Sequence, residues 1–317
     1  MKNMNCKYCD SPLQVVAEEL YDNRYGYPGR FTMYKCNYCD ILSLAADFTP
    51  EMIGDLYSNY YPRTQLKLED WAPYKELSGF KPWFQGSRSA GYHYVPKNVK
   101  ILDIGCGFGE TLGYHRNRGC EVYGVEADEN IKRVGDKFGF QVKAGLFDPR
   151  DYQPEYFDYV TMDQVIEHVT DPMDSLQGIA KILKPGGVAI LTTPNAKGWG
   201  IPAFGKKWAH WHTPYHLHLF SRKAMKKFAE DAGLVLEKSF TVTNSEWLHY
   251  QWLHMATYPK PGEKSVFWTP NAPKTAAQKF KMKMIAGFHR LKVNHIITRV
   301  FDALNAGDNC IYFLRKP

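Results

Sequence analysis

No run of about 18 apolar residues occurs in the 317-residue chain, so no membrane-spanning helix is expected. Its first residues, MKNMNCKYCD, lack the apolar stretch of a secretory leader, which makes the cytoplasm the expected compartment. Internal repeats and low-complexity tracts are missing, which excludes solenoids and compositionally disordered segments. Cysteine is sparse, with seven residues. In a reducing compartment these read as a metal site plus free thiols rather than a disulfide framework. Charge is nearly balanced: +7 over this length permits a phosphate, nucleic-acid or membrane partner and singles out none. What the chain does have is a hydrophobic content of 44%, sufficient for one large α/β domain and a smaller module.

Four of the cysteines form two pairs, Cys6-x2-Cys9 and Cys36-x2-Cys39, separated by 26 residues. Thiolates two positions apart reach a single tetrahedral ion, and each pair is followed by a polar turn residue, Asp10 or Asp40. Residues 1–45 therefore read as a zinc ribbon whose metal has no open coordination position and is structural. Residues 46–95, rich in Tyr, Pro and Gly, read as a connector with short helices. From 96 to 243 strands and helices alternate, the pattern of a parallel sheet. SRKAMKKFAEDAG reads as a helix capped by Ser221 and stopped by Gly233. Residues 244–307 read as an aromatic and basic helical insertion, and 308–317 as a last strand of the main domain.

The segment ILDIGCGFGE delivers Asp103 at the end of a buried strand, then Gly105-x-Gly107-x-Gly109 at the turn. Glycine admits positive φ and close approach of a ligand to the backbone. The GxGxG spacing suits a cofactor whose amino-acid moiety, rather than a pyrophosphate, lies over the turn, with Asp103 placed for its ammonium. Glu126 ends the next strand, 21 residues after Gly105, where a carboxylate accepts hydrogen bonds from ribose hydroxyls.

LDIGCG, VYGVEAD, EHVTDP and LKPGGVAILTTPN, in this order, resemble the motif series of class I methyltransferases over residues 99–240. The resemblance implies an α/β Rossmann-like sheet, parallel with an antiparallel last strand. It also implies S-adenosylmethionine as cofactor, held by Asp103, Gly105, Gly107 and Glu126. Phe147, beside Leu146, is expected against the adenine, and Gln164 is counted with the cofactor-binding positions. Around EHV the chain is similar to metal-using O-methyltransferases of quinone biosynthesis. Those carry a glutamate where Gln164 stands, so no metal clamp is expected at this loop.

Ligands in open α/β sheets bind at the carboxyl ends of the strands, which points the methyl acceptor toward Asp163-Gln164, Glu167-His168 and Pro194-Asn195. Beyond lies WAHWHTPYHLHLF, where four of eleven histidines fall within nine residues: His210, His212, His216 and His218. A second metal site is set aside for want of a nearby acid. Structural filling of a loop accounts for most of the four. One is expected to be a base, and His216 is the first candidate, with His168 in reserve. The HLHLFS stretch resembles the xHxxYFS of deoxysugar C-methyltransferases, in which the histidine is the acceptor's base and also follows a zinc module. CxxC, YDNRYGYPGRF, CNYCDILSL and LYSNYYP resemble bacterial methyltransferases of surface-polysaccharide and nucleotide-sugar pathways, and Tyr60 and Tyr61 are candidates to close over the cofactor.

From 273 to 300 there are seven Lys or Arg and no acid, with apolar residues at helical spacing. A solvated helical cap and a peripheral membrane or phosphate-binding face both fit. The expected function is methyl transfer to a sugar hydroxyl of a nucleotide-linked or lipid-linked glycan in surface-polysaccharide biosynthesis. The expected partner is a small-molecule or glycan acceptor rather than nucleic acid. A ribosomal RNA methyltransferase and a non-enzymatic zinc-ribbon adaptor stand as rivals.

Overall fold

The computed structural model describes residues 4–45, 48–62, 66–269 and 271–317. The chain opens with β1 (Leu13–Leu20), β2 (Phe31–Cys36) and β3 (Leu42–Leu44), an antiparallel meander between the cysteine pairs and just beyond them. Short helices α1 (Pro50–Asp55) and α2 (Phe80–Gln85) follow in the connector. The regular alternation then begins: β4 (Lys100–Ile104), α3 (Glu110–Arg116), β5 (Glu121–Glu126), α4 (Asn130–Phe138), β6 (Gln141–Ala144), β7 (Phe157–Asp163), α5 (Pro172–Ile182) and β8 (Leu183–Pro194). After β8 come α6 (Gly200–Phe204), β9 (His218–Leu219), α7 (Arg222–Asp231) and β10 (Val235–Thr241). The insertion folds as α8 (Ser245–Ala256), α9 (Ala276–Arg290) and α10 (Val293–Ala303), and β11 (Asn309–Arg315) closes the chain.

Seven strands form one sheet in the order β10-β11-β8-β7-β4-β5-β6. Pairing is parallel from β8 to β6 and antiparallel where β11 inserts between β8 and β10. This is the expected class I sheet. Its strands bury both faces, as period-two alternation requires. Leu102, Ala189, Leu191 and Tyr312 face the core shared with α5 and α7, whereas Ile101, Val188, Ile190 and Ile311 face the side of α3 and α4. Ser221 caps α7 by accepting from the Ala224 amide, and Gly233 beyond its end has φ +80°, as the sequence implies.

The ribbon does not stand apart. Its meander takes a fourth strand from β9, far along the chain, through Leu42↔Leu219 and Ser43↔His218. Cys6, Cys36 and Cys39 belong to the same buried cluster as Leu176 and Ile179 of α5 and Met225 and Phe228 of α7. The Tyr8 ring meets Phe228 edge-on at 4.8 Å. The ribbon read from the sequence as a smaller module thus shares its buried core with the main domain. Apolar side chains flanking the knuckles find too little to bury against within 45 residues, and complete their burial on α5 and α7. The connector is likewise packed down: the Trp71 indole donates to Phe108 O at 2.7 Å and stacks on Phe138 at 4.0 Å, and the Tyr74 amide donates to Glu110 O.

One shared core predicts one unfolding transition. Phe228→Ala should cost about 3–5 kcal/mol, and should leave far-UV dichroism and tryptophan fluorescence melting together. An early, separate melt of the ribbon would show that the modules are energetically independent.

Candidate active site

The glycine turn after β4 forms as its residues require. Gly105 has φ +76°, and a Cβ there would fall 2.4 Å from Val165 Cγ2; Gly107, at φ +56°, faces open space. At this turn the Glu126 carboxylate accepts from the Gly107 amide at 2.9 Å and from the Asp128 amide at 3.1 Å. Tyr61 lies close enough to feel the Glu126 charge, though burial is the larger influence on its hydroxyl.

Asp103 is 3% exposed, and its two oxygens accept from the Thr161 hydroxyl at 2.7 Å and the Thr111 hydroxyl. Burial lifts its carboxyl to about 7, reinforced by Asp163 beside it. Asp163, the last residue of β7, accepts from the Gly91 amide at 2.5 Å and the Thr192 hydroxyl at 2.8 Å through Oδ1. Its Oδ2 is buried with no partner among the described residues, and burial raises this carboxyl too. Two adjacent desolvated acids, one with an oxygen left unpartnered by the described residues, are a donor set that accepts a cation. An amino-acid ammonium fits that set. Sequence reasoning placed Asp163 on the acceptor side of the site and did not count it with the cofactor-binding positions. Its position at the end of a central strand was the available signal.

Two expected cofactor positions point elsewhere. Phe147 stacks with Tyr152 at 6.2 Å, and its ring edge lies 3.0 Å from where a Cβ on Gly178 would sit. It fills the space between its loop and α5, because Gly178 leaves a hollow there. Its neighbour Leu146 is 82% exposed instead. Gln164, held at φ +52°, donates to the Thr192 hydroxyl at 3.2 Å and Asn309 Oδ1 at 2.8 Å. It is thus drawn toward β8 and β11, away from the glycine turn.

The histidine loop is fastened to the end of β7 by two backbone bonds, from Leu217 N (2.8 Å) and His218 N (3.1 Å) to Glu167 O. This brings the His168 and His216 rings to 4.7 Å, with His212 4.9 Å from His216. His216 Nδ1 lies 2.8 Å from His210 O, and His168 Nδ1 2.9 Å from Tyr215 O. A carbonyl only accepts, so both Nδ1 atoms carry the proton and both Nε2 atoms keep a lone pair. Burial holds His168 down to about 4 and drives His216 well below the ordinary imidazole range, so both rings are neutral near pH 7.

An acid does stand beside these histidines, contrary to expectation. Glu167 is fully buried with neither carboxylate oxygen hydrogen-bonded among the described residues, and burial lifts it to about 8. Glu167, His168 and His216 offer donor atoms within 4.8 Å of one another. Three neighbours have structural duties: His218 bonds the Ser43 hydroxyl at 3.0 Å, His210 packs between Trp208 and Trp247, and His212 stacks on Tyr215 at 4.7 Å. Tyr61 and Tyr57 complete an aromatic cage around Tyr215, with the Tyr57 hydroxyl 3.2 Å from His168 Nδ1, whereas Tyr60 packs on Tyr27.

In the ribbon, the four thiols lie within 4.8 Å of one another, Cys6 and Cys39 at 3.8 Å, Cys9 and Cys36 at 3.4 Å. A tetrahedral ion with bonds of about 2.3 Å asks for sulfurs about 3.8 Å apart. The knuckles share one geometry: Asp10 N donates to Cys6 O and Asp40 N to Cys36 O, with both aspartates at positive φ.

Residues 50–239, three-fifths of the chain, match the family model described as a methyltransferase domain. The chain is 25% identical over 173 residues to the ubiquinone biosynthesis O-methyltransferase of Leptothrix cholodnii, covering 50% of this chain and 74% of that one. It is 31% identical over 153 residues to the enzyme of the same name from Aliivibrio fischeri, covering 43% and 64%. An S-adenosylmethionine-dependent methyltransferase from Mesorhizobium loti superposes with a TM-score of 0.43 at 15% identity, over 70% of this chain and 94% of that one. The chain belongs to the methyltransferase-domain family and is an S-adenosylmethionine-dependent methyltransferase.

Proposed function

We propose that the chain methylates a hydroxyl of a lipid-linked or nucleotide-linked glycan, with His216 as the base. The observation that carries this reading is the fixed tautomer of His216, whose Nδ1–H is held by His210 O and whose Nε2 is left free beside Glu167 and His168. S-adenosylmethionine, when bound, supplies a methyl group on a sulfonium, already reactive toward a nucleophile. The chain's own residues hold the reactants and take the acceptor's proton. Asp163 and Asp103 receive the ammonium, Glu126 the ribose and Leu146 the adenine face. His216 Nε2 takes the hydroxyl proton, and His210 O keeps the imidazole in register as it becomes charged. Motif resemblance to polysaccharide-pathway enzymes, including the histidine before FS, supports the glycan acceptor. A second reading rests on the Glu167, His168 and His216 donors and on relatives named ubiquinone biosynthesis O-methyltransferases. In it, the three hold a divalent ion that binds the acceptor oxygen. In either reading the ribbon cysteines hold a structural zinc.

Labelled cofactor incubated with nucleotide sugars, lipid-linked glycan intermediates and polyprenylated catechols tests the acceptor; transfer to the catechols alone would overturn the glycan reading. His216→Ala should lower transfer by about 10²–10⁴-fold with cofactor affinity intact, whereas His210→Ala and His218→Ala should act through stability. Full activity in His216→Ala removes it from the mechanism. Loss of activity with chelator, restored by a divalent ion, selects the second reading.

Cofactor affinity should depend on pH. The Asp103 carboxyl, at about 7, must be ionised to face an ammonium, so binding below that value includes loss of a proton. Calorimetry should show affinity falling by up to about tenfold per unit as pH drops below 7, and levelling above it. Asp103→Asn should flatten this slope. Asp163→Asn should weaken binding by about 10- to 100-fold, and Glu126→Ala by about 1–3 kcal/mol. An unchanged affinity in Asp163→Asn would remove the ammonium assignment.

Metal analysis should find one zinc per chain. Because the thiols share the core of α5 and α7, Cys36→Ser should destabilise the whole chain rather than the ribbon alone. Zinc-free protein of native stability would overturn the zinc site.

A further inference from the structure

The insertion between β10 and β11 carries an apolar surface left exposed by the described residues. On α9, Phe280, Met284 and Phe288 recur every four residues, and Leu291 continues the stripe; they are 66, 52, 47 and 73% exposed. This helix buries none of its residues. On α10, Ile296, Val300 and Leu304 repeat the same spacing and are at least half exposed. Between α8 and α9 runs a groove of about 490 Å³, walled by Trp252, Met255, Met284 and Phe288. A helix that exposes its long apolar residues in a row is not stabilised by its own domain alone.

Charge identifies what covers it. Lys279, Lys281, Lys283, Arg290 and Lys292 are exposed around the stripe, and none forms an ion pair among the described residues. Arg299 is the exception: it pairs with Asp302 and donates to Trp83 O. No acid occurs from 273 to 300. Apolar side chains flanked by unpaired cations match the interface of an anionic bilayer, which takes the apolar groups below its headgroups and neutralises the cations above. A protein partner would need an apolar groove edged with acids in the same pattern. No helix among the described residues is long and apolar enough to cross a membrane, so the contact is peripheral.

The insertion that carries this surface is also joined to the histidine loop. The insertion leaves the sheet after Thr241 and rejoins it at Asn309, which pairs with Pro194 at the carboxyl end of β8. Its α8 holds the histidine loop directly: Gln251 accepts from Ala209 N at 2.6 Å and donates to Lys207 O at 2.9 Å. We propose that α9 and α10 dock the enzyme on an anionic lipid surface and so present the His216 site to an acceptor anchored in that surface. This rests on the glycan reading and narrows it to the lipid-linked form.

The test is sedimentation of the full chain with vesicles of phosphatidylcholine alone or with about one-third phosphatidylglycerol. Binding is expected only with the anionic vesicles, weakened several-fold at about 0.5 M salt and lost in the double variant Phe280→Glu, Phe288→Glu. That variant should keep its melting temperature and its transfer to water-soluble acceptors, while transfer to a vesicle-borne acceptor falls at least tenfold. A charge variant, Lys279→Glu with Lys283→Glu, gives a second measure should the first fail to fold. Equal binding to both vesicle types, or none, overturns the docking. So does a dimer that the double variant splits, which would assign the face to a second copy. Vesicle binding with no transfer to any glycan would leave the docking standing and sink the acceptor assignment instead.

Discussion

The active edge is organised by the Glu167 carbonyl, which accepts from both Leu217 and His218. Those two bonds tie the loop after β8 to the loop after β7 and fix three consequences together. His216 is carried up to His168, His218 is set in register to pair as β9 with Ser43 of the ribbon sheet, and Tyr215 O is presented to the His168 ring. Because peptide groups make these bonds, side-chain identity in the loop remains free for chemistry. The loop would otherwise be a long irregular segment with many unpaired polar groups.

Electrostatics at the same edge follow from burial. Asp103, Asp163 and Glu167 are all pushed toward their neutral forms, and the histidines toward theirs. The protein therefore sets desolvated acids at the ends of β4 and β7 and neutral imidazoles with free lone pairs in the loops beyond β7 and β8. The cofactor class, cationic at both its ammonium and its sulfonium, is the partner such a site favours, since its charge is offset by carboxylates already desolvated.

The sheet was legible because strands buried on both faces write near-continuous apolar runs, and because glycines at positive φ mark the turn. Gly105, Gly107 and Glu126 fall where local spacing puts them. What sequence could not show was direction. Gln164 and Asp163 are neighbours at one strand end, yet the left-handed backbone at Gln164 turns its amide to Asn309 and leaves Asp163 facing inward. Phe147, expected against the adenine, turns instead into the hollow at Gly178 on the partner helix and leaves Leu146 beside it exposed. Glu167 was missed as the acid of the histidine cluster because its nearness to His216 is made by the tertiary bonds of Leu217 and His218, not by spacing.

The same bonds explain why a ribbon with no open metal position belongs to a transferase at all. β9 is only two residues long, too short to hold its place by its own pairing. It is held because β3 lies on one side of it and the Glu167 carbonyl on the other. The knuckles anchor β2 and β3, and Tyr8 and the thiol cluster seat that sheet against α7. From Cys36 to His216 the path is thus continuous: knuckle, β3, β9, then His216 two residues before it. The ribbon's contribution is therefore to fix the register of the histidine loop, on which the mutual placement of the His168 and His216 rings depends.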